Sequence, residues 1–279
     1  MPATFVVVSQ WQGSGSSRAL RLSDGAEAIR GDLPAASTRT VAVPLEAGNE
    51  LGSGLARLGS LQLVRERSLA VLAEVDDWAL TIGGDCGVSL AAVEHTLAVT
   101  HGDVAVVWFD AHPDLNTPET SPSGAFSGMV LRTLLGDGVA QLVPVAPLAP
   151  SRLVLAGARA VDDGEDAYLR ESGITRVGVD RLESAETTDG LVAAVEATGA
   201  ASVYLHIDLD VLDPAELAGL SDPVPFGVTA ATLVRSIREL KGRFRLAGAT
   251  IAGFSPASAD EASDDLPTIL RIIGALTAP

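Results

Sequence analysis

Eight short runs of β-branched and other apolar residues alternate along the chain with longer segments of helical spacing. This alternation is typical of parallel strands joined by helical crossovers. A chain of 279 residues, 47% of them hydrophobic, can bury a large core within one domain. We therefore predict a single α/β domain over residues 1–279.

The predicted strands are TFVVV, TVAVP, WALTIGG, VAVVWFD, RLVLAG, ITRVGV, SVYLHIDLD and GATIAGF. The predicted helices begin near Gly52, Gly87, Ser127, Asp163, Ser184, Thr229 and Asp260.

Charge and cysteine content narrow the class of protein. The net charge is -17 and no Lys/Arg cluster is present, which argues against nucleic acid as a partner because phosphate binding needs clustered cations. The N-terminal MPATFVVVSQW lacks a basic segment, and no apolar run reaches the roughly 18 residues of a membrane span. The single cysteine, Cys86, excludes an internal disulfide. We therefore expect a cytoplasmic protein that binds neither nucleic acid nor membrane.

Two of the predicted strands end abruptly in acidic residues. VAVVWFDAHPD carries Asp110 and Asp114, and VYLHIDLDVLD carries Asp208 and Asp210. Ligands of open parallel sheets bind at the carboxyl ends of the strands, so both clusters should lie at one edge of the sheet. Carboxylates brought this close together repel one another unless a multivalent cation neutralises them. The pattern therefore predicts a metal site.

Two further side chains belong to this prediction. His112 lies between two of the aspartates at alternate positions, and Cys86 follows a third strand end in WALTIGGDCG. Taken alone, each feature has an ordinary interpretation: a D-x-D pair as a turn, a lone cysteine as a small buried hydrophobic residue, and His206 as a structural histidine. The metal prediction depends on the three strand ends occurring together.

Three segments resemble, in order and over most of the chain, the metal-binding segments of the ureohydrolases, the arginase and agmatinase family. These segments are GGDC, DAHPDLNTPETSPSG and HIDLDVLDP. The resemblance implies a three-layer domain with an eight-stranded parallel sheet and two Mn²⁺ ions per chain. It also implies that Asp110 and Asp208 bridge the two metals and the hydroxide. The remaining ligands would be His112 and Asp210 at one metal, and Asp114 and Cys86 at the other.

The resemblance also implies an activity and a set of substrate contacts. In the family, a hydroxide held between two cations attacks the guanidino carbon, which yields a urea and an amine. The positions that hold the α-amino and α-carboxylate groups of arginine fall on Asn116, Ser123 and Asp162. Ala125 and Ala160 replace polar residues of the family at two neighbouring positions, so amino acid binding should be looser than in arginase.

Four further positions depart from the family pattern. Cys86 stands where the family has a histidine, and a thiolate is a softer ligand than Mn²⁺ prefers. Ser127, in SGAFSG, stands where arginases have a proton-shuttling histidine, and serine does not titrate near neutrality. Gly253, in TIAGFSP, stands where the family has a guanidinium-binding glutamate. Asp222, in SDPVPFG, replaces a pocket threonine and is the acidic group that could take over this role.

These departures favour a substrate less basic than L-arginine. The guanidinium of arginine is always protonated in proteins, so a site without an anion and a proton shuttle suits it poorly. An N-hydroxyguanidine is less basic, can bind uncharged, and offers a hydroxyl that can reach a metal or lend a proton. We predict hydrolysis of Nω-hydroxy-L-arginine to L-ornithine and hydroxyurea, as in the branch of the family that serves D-cycloserine biosynthesis, which this sequence resembles.

Two alternatives stay open. An arginase, agmatinase or formimidoylglutamase would share the metals, although the predicted contacts at Asn116, Ser123 and Asp162 suit an arginine-like backbone. A catalytically silent regulatory subunit would bind metal without turnover. The sequence is also compatible with a monomer, because it lacks the extended C-terminal tail that helps tie some arginase trimers, and an oligomer stays open.

Overall fold

The computed structural model describes residues 3–184 and 189–278. Within these ranges, eight strands form one sheet in the order β2-β1-β3-β8-β7-β4-β5-β6, and each neighbouring pair is parallel. The strands are β1 Thr4–Val8, β2 Thr38–Thr40, β3 Ala79–Gly83, β4 Val104–Phe109, β5 Leu153–Ala156, β6 Thr175–Val177, β7 Ser202–Asp208 and β8 Arg245–Ala252. The predicted fold class is confirmed.

Helices cover both faces of the sheet. They are α1 Leu20–Gly31, α2 Leu58–Leu72, α3 Ser89–Val99, α4 Val130–Leu134, α5 Asp163–Ser172, α6 Val179–Glu183, α7 Asp189–Glu196, α8 Ala230–Arg243 and α9 Ala259–Thr277. One hydrophobic cluster joins the sheet to α1 and α6–α9, and a second joins the other face to α2–α5. Successive residues of β4 alternate between the two clusters, as the two-residue period of a strand requires. All of β4 is therefore buried, which explains its uninterrupted apolar sequence.

The helix α1 was not predicted from the sequence. Its LRLSDGAEAIRG contains serine, aspartate and glycine, residues that disfavour helix interiors. Gly25 is required there by packing, because a Cβ atom at this position would lie 2.1 Å from the carbonyl oxygen of Phe254, just beyond β8. Tertiary packing therefore decides the conformation of a segment with weak helix propensity.

Other element boundaries also differ from the predictions. Strand β2 ends at Thr40, the residue at which the strand TVAVP was expected to begin. Its three residues pair with Phe5, Val6 and Val7 of β1. Helix α2 begins at Leu58 rather than near Gly52. The helix predicted near Ser184 falls between α6 and α7, and residues 185–188 lie outside the described ranges. None of the helices described combines the length and apolarity needed to cross a bilayer.

Candidate metal centre and active site

A cavity of about 660 Å³ opens where the central strands β3, β8, β7 and β4 end. The predicted ligands and substrate contacts come together in its lining, which includes Cys86, Asp110, His112, Asp114, Asn116, Ser123, Ser127, Asp162, Asp208, Asp210 and Asp222. Parallel strands place their carboxyl ends at one edge of the sheet, so residues far apart in the sequence meet there.

A first group of potential metal ligands contains Asp110, His112 and Asp210, with one ligand atom of each lying within 4.8 Å of the others. The Nδ1 atom of His112 lies 2.9 Å from Oδ2 of Asp210 and 3.5 Å from Oδ1 of Asp110. The main-chain nitrogen of Ala111 donates to Oδ1 of Asp210 at 2.9 Å, which fixes the orientation of that carboxylate. These three side chains are among the four ligands that the resemblance implies for one metal, and Asp208 is the fourth.

A second group contains Cys86, Asp110, Asp114 and His206. Asp110 belongs to both groups, as a carboxylate that bridges two cations must. The backbone of Asp114 is left-handed, with φ at 54°, a conformation that aspartate tolerates better than most residues.

Asp208 lies between the two groups. Its Oδ2 accepts from the Cys86 thiol at 2.8 Å, and its Oδ1 accepts from the main-chain nitrogen of Asp210 at 2.8 Å. The sequence assigned Asp208 a bridging role, and this position is suited to one.

His206 lies closer to the cluster than its interpretation as a structural histidine suggested. Its ring stacks on Trp108 with centroids 3.5 Å apart, and its Nδ1 lies 2.7 Å from Oγ of Ser89. Its Nε2 is buried without a hydrogen-bond partner among the described residues, 3.8 Å from Oδ2 of Asp110. Trp108 donates its Nε1–H to the same carboxylate oxygen at 3.2 Å. Trp108 thus holds the Asp110 carboxylate by a hydrogen bond, and the His206 ring stacked on Trp108 lies beside the same oxygen.

The cluster carries more negative charge than the protein alone can neutralise. Burial, and then neighbouring carboxylates, raise the pKa of Asp114 and Asp210 well above the usual range and that of Asp208 to about 7. Burial opposes protonation of His112, but hydrogen bonds and the charges of Asp110 and Asp210 raise its pKa to about 12. Oδ2 of Asp114 is buried without a hydrogen-bond partner in the described part of the chain. Divalent cations fit such a site because they supply the missing charge and coordination.

The donor set is mostly carboxylate oxygen with one imidazole and one thiol, and oxygen donors suit Mn²⁺. Burial, followed by the charge of Asp208, raises the pKa of the Cys86 thiol well above its usual range. The thiol therefore keeps its proton unless a cation takes its place.

Two of the three predicted amino acid contacts, Asn116 and Asp162, form a hydrogen-bonded group on the wall of the cavity, whereas Ser123 bonds instead with Ser121 and with the main-chain nitrogen of Ala125. Nδ2 of Asn116 donates to Oδ2 of Asp162 at 2.9 Å, and Thr120 donates to Oδ1 of Asn116 at 2.8 Å. Asp162 is also the N-cap of α5, in a capping box with Glu165. The second oxygen of Glu165 accepts from the main-chain nitrogen of Leu115 at 2.9 Å. Asn116 and Asp162 are thus held rigidly. Glu165 was not predicted from the sequence, although the D-x-x-E spacing of Asp162 and Glu165 is typical of a capping box.

Sequence reasoning missed a second wall of the cavity. Ser14, Gly15 and Ser16, from the GSGSS stretch, line it together with Ser123 and Ser127. The main-chain nitrogen of Ser127 donates to the carbonyl oxygen of Gly13 at 2.9 Å. The segment that begins at Gly13 is therefore hydrogen-bonded to Ser127, which stands where the family has a histidine. The sequence did not reveal this wall because its small polar residues form no recognisable motif.

Gly253 occupies a position that admits no side chain in this conformation. Its φ is +86°, and a Cβ atom would lie 2.2 Å from Oδ1 of Asp208. Its carbonyl oxygen accepts from the main-chain nitrogen of Ser221 at 3.1 Å, and the Ser221 hydroxyl donates to Oδ2 of Asp222 at 2.9 Å. Asp222 and Gly253 both line the cavity, and they are connected through Ser221.

We expect Gly253→Ala to lower the free energy of unfolding of the metal-free protein by about 2 kcal/mol more than Gly199→Ala does. Gly199 also has a positive φ, at +70°, but a Cβ atom there meets open space, so it measures the backbone strain alone. Urea unfolding of both variants gives the comparison. Equal losses for the two variants would contradict the close approach of Gly253 to Asp208.

The sequence profile of the arginase family matches residues 16–272, which include the four strands at whose ends the cavity opens. The chain belongs to the arginase family. The arginase of Bacillus caldovelox is 36% identical over 190 residues, an alignment that covers 63% of this chain and 62% of that relative. The alignment therefore spans less than two thirds of the relative's length.

Solved structures of the arginase family share the fold over the whole chain. An Entamoeba histolytica arginase in complex with L-ornithine superposes with a TM-score of 0.88 at 23% identity, covering 100% of both chains. The native structure of the Bacillus caldovelox arginase superposes with a TM-score of 0.85 at 25% identity, covering 100% of this chain and 98% of that one. The resemblance noted in the sequence is confirmed at the level of the family.

Proposed function

We propose that this protein is a binuclear-manganese amidinohydrolase that cleaves Nω-hydroxy-L-arginine to L-ornithine and hydroxyurea. One observation carries the proposal. The cavity combines a buried cluster suited to two cations with a reacting end that has a serine at position 127 and no side chain at position 253. The first feature supports metal-assisted hydrolysis, and the second supports a substrate that needs neither a proton shuttle nor an anion at those positions.

The chain would hold two Mn²⁺ ions through the groups described above. Asp110 and Asp208 would bridge them, His112 and Asp210 would complete one set of ligands, and Asp114 and Cys86 the other. When bound, the two cations would supply a hydroxide near neutral pH and polarise the guanidino carbon.

The amino acid end of the substrate would bind at the wall formed by Asn116, Ser123 and Asp162. The Asp162 carboxylate suits an α-ammonium group, and the Asn116 amide and Ser123 hydroxyl suit an α-carboxylate. Because the capping box and the bond between Asn116 and Asp162 fix these two side chains in advance, they would orient the substrate at little entropic cost.

At the reacting end, the resemblance assigns roles to two further polar side chains of the cavity lining, Ser127 and Asp222. Ser127 can hydrogen-bond but cannot exchange a proton near neutrality, so the substrate must arrive without a charge that has to be removed. Asp222 accepts hydrogen bonds and can orient the N-hydroxyl group of an uncharged hydroxyguanidine.

The test is a substrate panel on the Mn²⁺-loaded protein, with the products identified chemically and the metal content measured on the same sample. We expect hydroxyurea and L-ornithine from Nω-hydroxy-L-arginine. Urea from L-arginine or agmatine, or formamide from formimidoylglutamate, as the faster product would assign one of the alternative activities. Two bound ions per chain without any product would favour the catalytically silent alternative.

Replacing Cys86 with histidine is expected to raise the affinity for Mn²⁺ about tenfold, or ~1.4 kcal/mol. A neutral imidazole suits Mn²⁺ better than a thiol that must first lose its proton against four nearby carboxylates. Calorimetric titration of the metal-free proteins measures the change, with Cys86→Ser as the control of similar size, for which we expect weaker binding. If all three proteins bind Mn²⁺ equally, Cys86 is not a ligand.

A further inference from the structure

Arg159, which follows β5, donates from every nitrogen of its guanidinium to main-chain carbonyl oxygens. Nη2 contacts the carbonyls of Asp210 at 2.9 Å, Leu212 at 3.3 Å and Val224 at 2.7 Å; Nη1 contacts those of Gly157 at 3.2 Å and Val211 at 3.3 Å; and Nε contacts that of Pro225 at 3.0 Å. Arg159 itself is not among the residues that line the active-site cavity. Its guanidinium therefore serves the backbone rather than a ligand.

Five of the six carbonyls, all except that of Gly157 just before Arg159 itself, belong to two segments with different roles in the site. One is the turn directly after β7, which contains the proposed metal ligand Asp210. The other is the loop of residues 213–227 between β7 and α8, which carries Asp222. The base of this loop is closed by Asp213, whose Oδ2 accepts from the main-chain nitrogens of Phe226 at 2.8 Å and Gly227 at 3.2 Å. Arg159 lies between the turn and the loop and binds both.

The main chain of Arg159 makes a third connection. Its nitrogen donates to the carbonyl oxygen of Ala111 at 2.8 Å, and the nitrogen of Ala111 donates to Oδ1 of Asp210 at 2.9 Å. Ala111 lies between the proposed ligands Asp110 and His112. The backbone of Arg159 therefore holds the residue that orients the Asp210 carboxylate, while its side chain holds the Asp210 main chain.

Arginine is suited to this position in a way that lysine is not. A guanidinium offers five N–H donors in a planar arrangement and keeps its charge, whereas an ammonium offers three donors around one atom. The turn is a short 3-10 helix, Leu209–Val211, and its Val211 carbonyl also accepts from the main-chain nitrogen of Val228 at 3.0 Å, so Arg159 matters most for the other carbonyls. A buried carbonyl without a partner costs free energy. A lysine at position 159 therefore leaves some of these carbonyls without a hydrogen-bond donor, and the two segments can then shift.

We propose that Arg159 is a positioning residue that fixes the proposed metal ligand Asp210 and the Asp222 loop relative to each other. Metal affinity and substrate recognition are coupled through its guanidinium. The expected changes in KM and kcat rest on the proposed function. The Mn²⁺ affinity and the hydrogen exchange of residues 213–227 can be measured without any substrate.

The test is Arg159→Lys, with Arg235→Lys as the matched control. Like Arg159, Arg235 does not line the cavity and donates to a main-chain carbonyl, that of Leu182 at 2.7 Å. This carbonyl lies on α6, outside the turn after β7 and the 213–227 loop. We expect Arg159→Lys to weaken Mn²⁺ binding at least tenfold, the lower end of the range for residues that support metal ligands. We also expect faster hydrogen exchange over residues 213–227 and a KM that rises more than kcat falls. The control should show none of these changes.

A second variant, Asp213→Asn, loosens the loop without touching the contacts of Arg159 with the turn. We expect faster exchange of the loop and a higher KM at unchanged Mn²⁺ affinity. Arg159→Lys protein with wild-type Mn²⁺ affinity and wild-type exchange of residues 213–227 would overturn the proposal, as would a loss of Mn²⁺ affinity in Asp213→Asn. If the wild-type protein binds Mn²⁺ but turns over no substrate, the proposed function fails, and the metal and exchange readouts still decide the role of Arg159.

Discussion

Asp208→Asn should abolish most Mn²⁺ binding and lower kcat/KM by about 10³-fold or more, ~4 kcal/mol, while making the metal-free protein more stable. The two effects have opposite signs because the same charge causes both. In the metal-free protein, Asp208 is a buried carboxylate beside Asp110 and against the thiol of Cys86. Asparagine keeps the oxygen that accepts from the main-chain nitrogen of Asp210, and it replaces the oxygen that accepts from the Cys86 thiol with an amide nitrogen. The main-chain contact is preserved, while the charge and the bond to the thiol are lost.

Thermal unfolding with and without Mn²⁺ measures both effects on one preparation. The variant should melt above the wild-type protein in the presence of a chelator and below it at saturating Mn²⁺, since the metal stabilises only a protein that binds it. Asp264→Asn, at an exposed position on α9, removes the same charge from the surface and should change neither value. Wild-type Mn²⁺ stoichiometry in Asp208→Asn would show that Asp208 is not required to hold the metals.

The number of strands and their buried runs could be predicted from the sequence because they follow from the hydrophobic pattern, whereas the order of the strands in the sheet was not predicted. All of β4 is apolar because both of its faces are covered, and the abrupt change to Asp110 marks the point where the strand leaves the core. The same change at Asp208 marks the end of β7. Since parallel strands end at a common edge, two such changes are enough to predict a shared site.

The parts that could not be predicted depend on contacts between distant segments. Gly25 lowers the helix propensity of α1, and only the carbonyl of Phe254 beside it explains why glycine is needed there. Arg159 resembles any arginine that follows a strand, because its partners are main-chain carbonyls, which leave no trace in side-chain patterns. His206 fitted a structural interpretation, and the stacking on Trp108 that places it beneath Asp110 depends on strand register.

The preference for Nω-hydroxy-L-arginine over L-arginine is expected to reach at least ~100-fold in kcat/KM, about 2.7 kcal/mol. Two features of the reacting end contribute. L-Arginine brings a permanent positive charge, and position 253 has no side chain that could neutralise it. Its hydrolysis also needs a proton for the leaving amine, and Ser127 cannot exchange one near neutrality. The hydroxyguanidine avoids the first requirement because it binds uncharged, and it eases the second through its own hydroxyl.

Steady-state kinetics on both substrates, with a single Mn²⁺-loaded preparation, measures this ratio, and Ser127→His separates its two causes. An imidazole at this position restores a group that titrates near neutrality, so the rate on L-arginine should rise and the ratio should shrink. The variant leaves Gly253 and Asp222 unchanged, so the part of the preference that comes from charge should persist. Equal kcat/KM on the two substrates in the wild-type protein would mean that substrate basicity is not what this cavity discriminates.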